Sequence, residues 1–100
     1  MPPASHLQYD KIASTFGGIC TKFVNDHRRL RRYRVYGSNN IYQVLAELRV
    51  GIANGGLHIT FENSLYIAVE VQGNVIYVFV TETDADTLLV TISTNPNIVP

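Results

Sequence analysis

The sequence has one cysteine in 100 residues, which excludes a disulfide framework and a cysteine-rich zinc site. It has no uncharged apolar stretch of 18 residues, which excludes a membrane-spanning helix. Residues 1–6, Met-Pro-Pro-Ala-Ser-His, carry neither the basic region nor the apolar core of a secretory signal, so a cytoplasmic protein is expected. Charged residues are sparse, at 16%, and sum to zero. Apolar residues reach 46%, which excludes a disordered or fibrous class. A chain of this length is expected to form one domain, 1–100, around one modest core.

Lysine and arginine are absent after Arg49. The zero net charge therefore hides an asymmetry. Residues 1–50 carry +5, with eight bases against three acids, and residues 51–100 carry −5, with five acids and no base. A neutral chain would ordinarily argue against a nucleic-acid ligand, but this polarity leaves an anionic ligand open at one end.

The first half reads as helical. Ser5 and Gln8 have capping-box spacing. Tyr9, Ile12, Phe16, Ile19, Cys20, Phe23 and Val24 then recur at three- and four-residue steps, which predicts one helix over about 6–27 kinked at Gly17–Gly18, or two short helices meeting there. Cys20 on that stripe reads as core. Residues 27–34 place five arginines in seven positions, as an extension of the helix or as an extended connection. The turn residues Gly37-Ser38-Asn39-Asn40 supply candidate N-caps. Ile41, Val44, Leu45 and Leu48 predict a second helix over about 40–49, ended by Gly51 and Asn54-Gly55-Gly56.

The second half reads as strands: Leu57 to Phe61, Leu65 to Gln72, Val75 to Glu82 and Thr87 to Ser93. A hairpin turn at Gly73-Asn74 pairs Val71 with Ile76, Val69 with Val78 and Ile67 with Val80. One face is then wholly aliphatic and suits a helical cover. The other carries Tyr66, Ala68, Glu70, Tyr77 and Phe79, which is more apolar than a solvated face and implies a ligand, a partner or a second copy upon it. The expected fold is α+β: two N-terminal helical segments packed on one face of a four-stranded, mainly antiparallel sheet. The basic, helical half spans about 5–49 and the acidic sheet about 57–94.

Candidate sites follow from side-chain chemistry. Arg28, Arg29 and Arg32 with Tyr33 suit a nucleic-acid footprint, because guanidinium groups bind phosphate and the rings of Tyr33 and Tyr36 stack on bases. Pairing with the acidic half, or with an acidic protein, would use the same arginines. Metal-free RNA cleavage needs a base for the 2′-hydroxyl, an acid for the leaving oxygen and cations on the phosphate. His27 as base beside Arg31 and Arg34 supplies those types. Tyr66, Tyr77, Phe79 and Glu70 are candidate interface residues, Glu70 also serving as a base or pairing with an arginine. His58 is placed on the polar side of its strand with Thr60 and Glu62. His6, His27 and His58 lack metal-ligand spacing, so neither metal nor cofactor is expected. Asp84 and Asp86 read as turn residues.

The order of a helix, a His followed by arginines, a short helix with Ile-x-x-Val-Leu and a sheet ending Leu-Leu-Val-Thr-Ile resembles small ribonuclease toxins of the RelE, barnase and colicin type, over about residues 22–94. The resemblance implies an active site lined by His27, Arg28 or Arg31, Arg32 or Arg34, and Thr91 on the last strand. Two departures stand. The usual His-Ala-x-x-Arg reads His27-Arg28-Arg29-Leu30-Arg31, and the C-terminal strands lack bases. The expected function is thus an RNA-cleaving or RNA-binding domain of toxin or mobile-element type. Its expected partners are RNA and a cognate inhibitor protein. The alternative is a non-enzymatic immunity, inhibitor or regulatory module that docks or homo-oligomerises through the aromatic face.

Overall fold

A computed structural model describes residues 6–17, 20–27, 30–35, 40–84 and 87–95; within these, 6, 20–27, 30, 83, 84 and 87 are described by their backbone alone. The elements are α1 (His6–Ala13), β1 (Cys20–His27), β2 (Leu30–Val35), α2 (Ile41–Asn54), β3 (His58–Glu62), β4 (Tyr66–Val71), β5 (Asn74–Asp84) and β6 (Thr87–Ser93). Among the described residues the α+β class holds, with two helices and an antiparallel sheet. The described residues form six strands of this sheet, in the order β1-β2-β6-β5-β4-β3, rather than four.

Of the two extra strands, β1 comes from residues expected to be helical and β2 from the arginine run, for which a helical extension and an extended connection were both open. Tyr9, Ile12 and Phe16 do form a buried stripe on and just beyond α1. The helix ends before Gly17, which adopts φ 63°, a left-handed conformation that stops helical continuation. Beyond it, Thr21, Phe23 and Val24 are β-branched or aromatic and suit a strand as well as a helix. Pairing settles the choice, because β1 bonds β2 and β2 bonds β6. The basic strand β2 thus lies beside β6 from the acidic half, so both halves of the chain build one sheet.

Helix α2 begins where expected. Asn40, in extended backbone, accepts at Oδ1 from the Gln43 amide at 3.1 Å. It runs past Gly51 to Asn54 and closes in a Schellman motif: Leu57 N–H donates to Ile52 O (3.3 Å), and Gly56, at φ 81°, donates to Ala53 O (3.1 Å). Gly51 is therefore not a stop signal. A Cβ there would strike the Thr15 carbonyl oxygen, and one on Gly55 would lie 2.5 Å from Thr15 Cγ2. Two glycines four residues apart let the segment after α1 lie directly against α2.

The β4–β5 turn sits one residue earlier than the sequence suggests. Val71 pairs with Asn74, Val69 with Ile76 and Ile67 with Val78. Gln72 and Gly73 are the loop, with φ 52° and 85°, the paired positive angles of a type I′ turn. Moving the loop by one residue moves each partner by two, so the faces are preserved. Gln8 of α1 clasps this turn. Its Nε2 donates to Val71 O and Gln72 Oε1, and its Oε1 accepts from Asn74 Nδ2 at 3.1 Å. Its expected partner Ser5 lies outside the described residues.

The core lies between the helices and one sheet face. Tyr9, Ile12, Phe16, Val44, Leu48 and Ile52 pack on Val35, Val69, Ile76, Val78, Val90 and Ile92. Among the described residues, no helix lies on the second face.

Candidate nucleic-acid interface

Alternation along β2 divides the arginine run. Arg31, Tyr33 and Val35 register with Ile92, Val90 and Leu88, all buried on the helix side. Arg32 and Arg34 register with Thr91 and Leu89 on the helix-free side. As a helix the five arginines would spread over about 220° of its circumference, whereas the strand sends Arg31 to one face and Arg32 and Arg34 to the other.

Arg31 is 9% exposed. Its Nη1 donates to Asp10 Oδ1 of α1, and its guanidinium lies 5.9 Å from the Tyr9 ring centroid. Burial pulls its pKa down, but hydrogen bonds to Asp10 and Tyr33 outweigh that and hold it above the usual arginine value. Tyr33 meets Phe16 edge-on at 5.8 Å. Both residues are thus joined to the helices, away from Arg34 and Thr91. His27 ends β1 opposite Leu30, described there by backbone only. Arg28, Arg29 and Tyr36 lie outside the described residues, as does the Cys20 side chain.

On the helix-free face, the rows read across the strands. One is Tyr66–Phe79–Thr91–Arg32, and beside it run Ala68–Tyr77–Ser93–Leu30 and Thr81–Leu89–Arg34. Tyr66 packs on Tyr77 and on Phe79, each at 5.5 Å between ring centroids. Phe61 of β3 adds a fourth ring, 5.7 Å from Tyr66 and 52% exposed. A bulge between Ile59 and Phe61 brings it there, with the Thr60 hydroxyl donating to Ala68 O at 3.3 Å. Strict alternation had hidden Phe61, because a bulge reverses the faces beyond it. The same bulge corrects the shared polar side of His58 and Glu62: His58 registers with Glu70, whereas Glu62 registers with Ile67 on the helix side.

The face grades from closed to open. Ala68, Phe79, Thr91 and Ser93 are buried along its centre, Thr91 being only 4% exposed. Tyr66, Tyr77 and Arg32 are half-buried, while Phe61, Glu70, Val75 and Arg34 are exposed. Among the described residues, no ion pair engages Arg32 or Arg34. The rings and these two cations are separated by β6, about 10 Å across two strand spacings. Glu70 lies on the far side of the rings.

Of the residues singled out in the sequence, the structure brings together Arg32, Arg34 and Thr91 with Tyr66, Tyr77, Phe79 and Glu70. It removes Arg31 and Tyr33 from them. Among the described residues, no helix is long and apolar enough to cross a membrane, and no cluster of three metal-ligating side chains occurs. Comparison of the chain with protein-family models, with curated proteins and with solved structures finds no match.

Proposed function

We propose that the protein binds single-stranded RNA on the helix-free face of its sheet and does not cleave it. One observation carries the reading: aromatic rings and two guanidinium groups, unpaired among the described residues, share a sheet face that no described helix covers. Unpaired bases stack on exposed or half-exposed rings, and arginine holds the backbone between them. Arg32 and Arg34 are two residues apart on one strand, about 7 Å, close to the step between successive phosphates of an extended strand. Glu70 repels phosphate from the opposite flank, so the backbone follows β2 and the bases point toward Tyr77, Tyr66 and Phe61. Cleavage is disfavoured because Thr91 is closed to solvent and Arg31 is held by Asp10.

The test is fluorescence anisotropy with a short unstructured RNA over a salt series. The expected result is saturable binding that weakens with salt. Replacing both arginines, Arg32→Gln with Arg34→Gln, should flatten the log–log salt slope by about 1.4, at roughly 0.7 per lost phosphate contact. Tyr77→Leu should cost about 1–3 kcal/mol of binding. Salt-independent binding, equal affinity for duplex, or self-association through the rings that shuts RNA out would each overturn the proposal. RNA scission abolished by His27→Ala would overturn its non-catalytic part.

A further inference from the structure

A concavity lies on the helix side, between α2 and the end of the β3–β4 hairpin, with a volume of about 360 Å³. Helix positions 42, 45, 46 and 49 form one wall at helical spacing, and Glu62, Asn63, Ser64 and Ile67 form the other. Leu45 and Ile67 are buried and make an apolar floor. Ala46 leaves room between the larger Tyr42 and Arg49. Arg49 and Glu62 face each other across one end, where Nε and Oε2 approach to 3.4 Å. Among the described residues, that single approach leaves both Arg49 Nη groups and Glu62 Oε1 without protein partners.

The turn adds donors. Asn63 Oδ1 already accepts from the amides of Leu65 (2.8 Å) and Tyr66 (2.9 Å), which fixes its side chain and leaves Nδ2 to donate. Ser64 supplies a hydroxyl beside it. The cleft thus joins a planar cation, a carboxylate and neutral donors to an apolar floor of small-ligand size.

Arg49 and Glu62 already offset each other, so a ligand with one charge would meet a like charge on one of the two. A zwitterion satisfies both. We infer that this cleft binds a free α-amino acid with an apolar side chain. The ligand's carboxylate takes the fork of Arg49 and the Asn63 amide, its ammonium takes Glu62, and its side chain rests on Leu45, Ala46 and Ile67 beside the Tyr42 ring. The site is independent of the RNA face, which lies on the other side of the sheet.

The experiment is an amide NMR titration of the whole chain with L-leucine and with L-phenylalanine, following Ala46, Asn63 and Ile67. Saturable shifts at those residues in the millimolar range are expected. N-acetyl-L-leucine, which lacks the ammonium, and L-leucinamide, which lacks the carboxylate, should each bind roughly tenfold more weakly or worse. Arg49→Gln and Glu62→Gln should weaken L-leucine similarly. Both side chains are about half exposed, so these variants are expected to fold. Ala46→Phe should fill the cleft and abolish the shifts while keeping both charges. The double change Arg32→Gln with Arg34→Gln should leave them intact. Absence of saturable shifts with either amino acid, undiminished binding of N-acetyl-L-leucine, or undiminished binding by Ala46→Phe would overturn the assignment.

Discussion

Replacing Gly51 with alanine sets two known effects against each other. Inside a solvent-facing helix the change stabilises, by about 1 kcal/mol, because alanine restricts the unfolded chain and favours the helix. Here the new methyl would meet the Thr15 carbonyl oxygen closer than the 3.0 Å that real side-chain carbons keep. That atom is backbone, in a segment pinned by the Thr15 amide to Ile12 O and the Phe16 amide to Ala13 O. It cannot swing aside, and forced overpacking of this kind costs about 1–3 kcal/mol. The net expectation for Gly51→Ala is a loss of about 1 kcal/mol, a fall of roughly 4–8 °C in Tm for a domain this size. Gly55→Ala provides the contrast, since it meets a side-chain methyl, Thr15 Cγ2, at 2.5 Å. Thr15→Ser removes that methyl and keeps the hydroxyl that donates to Ile12 O at 2.6 Å. Thermal and urea unfolding of the three singles and of the two doubles that combine Thr15→Ser with each glycine change form two mutant cycles. Thr15→Ser should rescue Gly55→Ala and leave Gly51→Ala unrescued. A Gly51→Ala protein more stable than the parent would refute the packing of Thr15 on α2.

Three further outcomes follow from the same contacts. Asp10→Asn leaves the Arg31 guanidinium without its carboxylate and should destabilise by about 1–2 kcal/mol in urea titration, a figure tempered by the exposure of Asp10, whereas Arg31→Met should cost less. Gln72→Gly relieves a left-handed non-glycine residue and should raise the urea midpoint by an amount equivalent to about 0.5–1 kcal/mol, after losing one contact to Gln8. Asn40→Ala removes the α2 cap and should cost about 1 kcal/mol, seen as earlier thermal loss of helical circular dichroism.

What could be read from the sequence was whatever its nearest neighbours decide. Asn40 caps α2, Val44, Leu45 and Leu48 face the core, and Tyr9, Ile12 and Phe16 make one stripe, as their spacing implies. The two faces of β4 and β5 survived a misplaced turn because the register error was even. The strand at residues 20–27 was not legible: Phe23 and Val24 fit a helical step, and what makes them a strand is β2, itself held by β6 from the far end of the chain. Nor could the bulge at Thr60 be seen, and with it the opposite faces of His58 and Glu62. The arginine run was recognised as unusual, but its chemistry depended on whether the segment turns by 100° or by 180° per residue. The strand leaves Arg32 and Arg34 available and gives Arg31 to the fold.

The position of β6 bears on how the chain is made. Among the described residues, the strand latest in sequence is an interior one, with β2 on one side and β5 on the other. While a ribosome is still adding residues before Thr87, α2 and the β3–β4–β5 meander can already assemble from contacts close in sequence. The β1–β2 hairpin, finished earlier, must wait with Val35 and Tyr33 uncovered, since two strands alone are marginal in water. Closure then needs a long-range pairing, the slow kind, and leaves an interval in which the backbone edge of β2 is open to other nascent chains. Slow synthesis of β6 would lengthen that interval, and a chain truncated before β6 would retain two sheet fragments with no strand between them.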